Sequence, residues 1–79
     1  MTTSSIDVTT TWQKIAEAEE DFLVDNLSST NISVTFQTST PATDAPHHVL
    51  QTGQGLTRLG LTGELWVKSE SPAYIIITV

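Results

Sequence analysis

The chain has 79 residues, no cysteine, and three basic against nine acidic side chains, for a formal charge of −6. One domain fits that length, with a core near the lower limit of independent stability; no disulfide is available to staple it, which leaves association with a partner as the remaining support. The negative charge, with Lys14, Arg58 and Lys68 as the only permanent cations, argues against a nucleic-acid partner.

Residues 1–11, MTTSSIDVTTT, hold only Ile6 and Val8 as apolar anchors among Ser and Thr. They read as an extended N-terminal arm, either free or laid on a neighbouring subunit, ahead of a single β domain over residues 12–79. The start of the chain has neither the cationic nor the apolar region of an export signal, so none is expected. The longest apolar run, Tyr74–Ile77, is far below the roughly 20 residues of a membrane span, and no membrane is expected as partner.

Fourteen Thr and eight Ser bias the chain toward half-exposed pleated surfaces. Trp12–Phe22 is ambiguous, because Trp12, Ile15, Ala16 and Glu19 recur at helical spacing. Its shortness and the clustered charges of Glu19, Glu20 and Asp21 favour a strand at Trp12–Ala16, an acidic turn at Glu17–Glu20 and a strand at Asp21–Asp25, with a short helix as the alternative. Asn26–Thr30 is turn chemistry. Asn31–Thr38 alternates cleanly, with Ile32, Val34 and Phe36 on one face and Ser33, Thr35 and Gln37 on the other.

Ser39–Pro46 holds two prolines and no periodicity, so an exposed loop is expected. Strands follow at His47–Gln51, Leu56–Leu59, Glu64–Ser69 and Ala73–Val79, with a hairpin turn at Thr52–Gly55 after the first in which Gly supplies positive φ. The last strand is apolar on both faces, which predicts either a central place in a sandwich or burial against another subunit. The whole reads as all-β: a small antiparallel β-sandwich or β-barrel of six to seven strands.

Chemistry-bearing groups are sparse. His47 and His48 are adjacent in a strand and point to opposite faces, one inward and one outward, so they do not form a metal site. The Glu17–Asp21 carboxylates lack the spacing and glycine of a calcium loop and read as a solvated turn. No G-x-S-x-G elbow is present, and Thr52–Gly55 has no following helix or lysine to cradle a phosphate. Catalytic residues, metal and cofactor are therefore expected to be none, and the protein not to be an enzyme. Asn26-Leu-Ser28 and Asn31-Ile-Ser33 match the glycosylation triplet without an export signal to give it meaning. Trp12, Trp66 and Tyr74 would form a glycan platform if exposed together, whereas Trp66 between Leu65 and Val67 reads as core or interface.

The run N-I-S-V-T-F-Q-T-S-T-P, then H-H-V-L-Q-T-G-Q-G, then L-T-G-E-L-W-V-K-S and an apolar terminal strand, resembles small virion proteins of tailed bacteriophages over about Trp12–Val79. The resemblance implies a non-enzymatic structural protein of the virion, assembled in the bacterial host cytoplasm: a capsid decoration (cement) protein, commonly a homotrimer, that bridges capsomers. Its implied partner is the major capsid protein or another virion protein. The implied interface comprises Ile6 and Val8 of the arm with Trp66, Tyr74, Ile75, Ile77 and Val79. A tail or fibre component binding receptor or glycan, and a non-virion acidic inhibitor, are the rival readings.

Overall fold

A computed structural model describes residues 2–58 and 62–79. Among them are eight strands and no helix: β1 (Thr3–Val8), β2 (Gln13–Ala16), β3 (Leu23–Asp25), β4 (Ile32–Gln37), β5 (His48–Leu50), β6 (Gly55–Thr57), β7 (Glu64–Ser69) and β8 (Ala73–Thr78). They form two four-stranded antiparallel sheets, one ordered β1-β8-β3-β6 and the other β2-β7-β4-β5. Within these sheets β1 pairs with β8, β2 with β7, β3 with β6 and β4 with β5. That is one antiparallel ribbon wound over itself, the jelly-roll form of the β-sandwich, and not a closed barrel.

The core follows from period-2 alternation on the central strands. Leu65 and Val67 of β7, with Ile32 and Val34 of β4, face Ile75 and Ile77 of β8 and Val24 of β3 across the sandwich; Val8, Ala16, Phe22 and Leu50 fill its margins. Burying each of the larger aliphatic side chains contributes about 1.5–3 kcal/mol.

Three expectations need correction: the arm, the strand count and the hairpin at Gly53. The segment read as an arm is β1 over Thr3–Val8, an edge strand hydrogen-bonded to β8 in this chain's own sheet, with Val8 2% exposed; Met1 lies outside the described residues. With it the described strands number eight, not six or seven. Over Trp12–Asp25 the expected strand, turn and strand are observed, not the helix alternative, with Glu19 in the left-handed region at φ 68°.

The Gly53 turn is not a hairpin, although φ is +84° there as expected. β5 belongs to one sheet and β6 to the other, so the turn carries the chain around the sandwich. Asn26 explains the switch: its backbone N–H donates to Gln54 O at 3.0 Å and its carbonyl accepts from Gly53 N at 2.7 Å, pinning the turn to the end of β3. The strand expected over Leu56–Leu59 is observed as Gly55–Thr57, and its Leu59 end lies outside the described residues, as does Leu61 of the L-T-G-E-L-W motif.

Candidate functional site

The registers define what each sheet shows to solvent. On the β1-β8-β3-β6 sheet the outward positions are Thr3, Ser5 and Asp7 of β1, Tyr74, Ile76 and Thr78 of β8, and Leu23 and Asp25 of β3. Leu23 is 47% exposed and Tyr74 39%; Leu27, whose carbonyl accepts the Tyr74 hydroxyl at 3.1 Å, is 57% exposed. Leu23, Ile76, Tyr74 and Leu27 thus form an apolar band in a field of Thr and Ser hydroxyls. Its charges are the carboxylates of Asp7 and Asp25, and no lysine or arginine lies at a described strand position of this face.

The opposite sheet is different in chemistry. Its outward positions include Lys14, Glu64, Trp66, Lys68 and Val49, with Thr35 buried beneath its neighbours. Glu17 and Glu64 lie 3.0 and 3.4 Å from the Lys14 ammonium, and the Glu17 hydrogen bond first, then that of Glu64, holds its pKa above the ordinary lysine value. Lys68 sits 4.8 Å over the Trp12 ring and donates to Thr43 O, while Trp12 Nε1 donates to Ala42 O at 2.8 Å. The 39–46 loop is thereby tied onto this face, which is partly covered by the chain itself.

The interface residues expected from the sequence separate into two sets. Val8, Ile75 and Ile77 are 2%, 0% and 2% exposed in the chain's own core, so they are not available to a neighbour. Ile6 is half-buried on β1, Trp66 half-buried on the opposite sheet, and Tyr74 and Val79 exposed. Leu23, Leu27 and Ile76, which the sequence reading did not single out, complete the apolar band around Tyr74. The period-2 pattern of β8 held a signal for Ile76, since it shares the face of Tyr74.

The other candidates resolve as follows. Trp12 and Trp66 lie on one side of the sandwich and Tyr74 on the other, so the three do not make one platform. Trp66 Nε1 is buried without a hydrogen-bond partner among the described residues. His47 and His48 do point to opposite faces, but both are exposed, against the expectation that one packs inward; β5 is an edge strand. They border a cleft of about 610 Å³ with Phe36, Leu56 and Pro46, whose walls are mostly apolar. Asn26 of the first glycosylation triplet is fully buried, with its amide nitrogen donating to Thr30 O and Leu50 O, each at 2.9 Å. No group of three His, Cys, Asp or Glu among the described residues is placed to hold a metal ion.

The acidic turn has a structural anchor in Arg58. Its guanidinium donates to Glu20 O at 2.6 Å, Glu17 O at 2.9 Å and Gly63 O at 3.1 Å, and it lies over the Phe22 and Phe36 rings. That arrangement locks two loops together and leaves the carboxylates of Glu17 and Glu19 facing solvent.

Comparison of the chain with protein-family models, with curated proteins and with solved structures finds no match.

Proposed function

We propose that this chain is a non-enzymatic assembly module, and specifically a decoration protein of a tailed-bacteriophage capsid that docks on the shell and bridges neighbouring capsomers. The observation that carries the reading is the outer face of the β1-β8-β3-β6 sheet, where Leu23, Ile76, Tyr74 and Leu27 form an apolar band that no described residue covers. Scattered exposed aliphatics are ordinary, but a band on one pleated face suits a flat partner surface. Asp7 and Asp25 beside it favour a shell surface that sets basic side chains around an apolar centre. The jelly-roll topology recurs in viral capsid and lectin domains, which supports the virion setting by analogy of fold alone.

Docking would bury the band at about 25 cal/mol per Å² of apolar area and so oppose local opening of the shell. Quantitative mass spectrometry of purified particles tests the reading. Copies in the hundreds, relative to the major capsid protein, are the expected result. A few copies would move the chain to the neck, tail or fibre, and none would overturn the virion setting.

A further inference from the structure

Edge strands expose unpaired backbone groups, and native proteins guard them with short length, lysine, proline or bulges. Three of the four edges in this sandwich are guarded. β5 and β6 are three residues each, and β2 carries Lys14 and a register break between Lys14 and Ala16. β1 is six residues long, without lysine, proline or bulge.

The hydrogen bonding of β1 identifies which groups are open. Thr2 and Val79 exchange both backbone bonds, at 2.9 and 3.1 Å, and antiparallel pairs alternate between bonded and non-bonded positions. The backbone groups of Ser4, Ile6 and Val8 therefore turn toward β8, and those of Thr3, Ser5 and Asp7 turn outward. Gln13 confirms the phase by donating from Nε2 to Asp7 O at 3.0 Å, which closes that end of the edge. Among the described residues, what stays open is the N–H and C=O of Thr3, the N–H and C=O of Ser5, and the N–H of Asp7.

Apart from the Thr3 N–H, that set is self-complementary about Ser5. We propose that two copies of this chain join through β1 in antiparallel fashion, with the two-fold axis at Ser5, to make one eight-stranded sheet across the dimer. In this register Ser5 exchanges both bonds with Ser5 of the second copy, and the Asp7 N–H donates to the Thr3 carbonyl, while the Asp7 carbonyl stays with Gln13. On the outer face each Thr3 hydroxyl meets an Asp7 carboxylate. On the inner face Ser4 meets Ile6, covering a side chain that is half-buried in the single chain.

Two shifted registers are worse. Moving the axis to Ile6 leaves Thr3 opposite Thr9, whose N–H is directed to Gln13 Oε1. Moving it to Asp7 sets two carboxylates face to face, which is destabilising. With the axis at Ser5 the two Asp7 residues are about 14 Å apart along the strands, beyond the screening length of about 8 Å. The contact is isologous and closes at two copies, in contrast to the trimer implied by the sequence resemblance.

The proposal concerns the isolated chain and needs no shell, so its failure leaves the docking reading standing. Sedimentation equilibrium should give twice the 8.6 kDa chain mass at high concentration, dissociating on dilution. Ser5→Pro removes an N–H that faces away from β8, a place where an edge strand tolerates proline, and should give the single-chain mass with the native thermal transition. Ser5→Lys sets like charges opposite each other and should do the same, which keeps the test valid if the proline variant does not fold. Amide exchange at Ser5 and Asp7 should slow at least tenfold between the dilute and the concentrated native chain. A single-chain mass at all concentrations would overturn the proposal, as would a double mass that both variants retain, because the pairing would then lie elsewhere.

Discussion

Asn26 Nδ2 donates to Leu50 O at 2.9 Å, joining the turn after β3 to the end of β5 in the other sheet. The same nitrogen donates to Thr30 O, and Oδ1 accepts from Ser28 N at 3.1 Å and Ser28 Oγ at 2.7 Å. A fully buried amide thus has both ends satisfied. Asn26→Ala should destabilise the fold by about 2–4 kcal/mol, because two carbonyls and a Ser28 pair lose their partner in the interior. Asn26→Asp should cost at least as much, since a buried carboxylate would face those carbonyls. Urea unfolding followed by tryptophan fluorescence checks both; a change below about 0.5 kcal/mol, the ordinary range for surface substitutions, would contradict the account.

Arg58 reaches carbonyls on two loops through a planar fork that lysine does not reproduce. Arg58→Lys should lower stability by about 1–2 kcal/mol despite keeping the charge. Thermal unfolding at neutral pH is the check, and an unchanged midpoint would mean that the clamp is not limiting.

Trp66 holds a buried Nε1–H that no acceptor among the described residues meets. Trp66→Phe removes that donor and keeps an aromatic ring between Lys14 and Thr35. Its expected cost is below about 1.5 kcal/mol, well short of the 3–5 kcal/mol of a large aromatic cut to alanine. Chemical denaturation of Trp66→Phe beside Trp66→Ala measures the gap.

Lys14 gains its raised pKa chiefly from Glu17 and then from Glu64. A group whose folded pKa is raised contributes stability that is complete below the unfolded value, here the ordinary 10.5, and is lost as pH rises through the folded one. The stability difference between the native chain and Lys14→Met should therefore stay level from neutrality up to that range and shrink beyond it. A difference that shrinks well below 10.5 would show that the ion pairs are not its source.

Much of the sandwich is legible locally. β7 alternates over Glu64–Ser69, and β4 over Ile32–Gln37, because each has one polar and one apolar face. β1 was not legible as a strand, since TSSIDV carries too few apolar residues to distinguish it from a free arm; it is ordered by the open side of β8, far away in the chain. The sheet switch at Gly53 was hidden for the same reason, as a glycine turn between strands looks alike whether they pair or diverge, and the pin is Asn26. The apolar outer face was legible in part. Both faces of β8 are apolar, so periodicity separates Ile75 and Ile77 from Tyr74 and Ile76 without saying which pair turns inward. Leu23 and Leu27 sit in a three-residue strand and its turn, too short for any pattern to mark them.

The most direct test of the central claim is binding of the purified chain to capsids that lack it, compared with the double variant Leu23→Asp, Ile76→Asp. Both changes fall on the outer face and leave the described core untouched. The account predicts saturable binding by the native chain and a loss of at least tenfold in affinity for the variant, with an unchanged circular dichroism spectrum. Equal binding by a folded variant would show that this face is not the docking surface, and an absence of native binding would remove the decoration role.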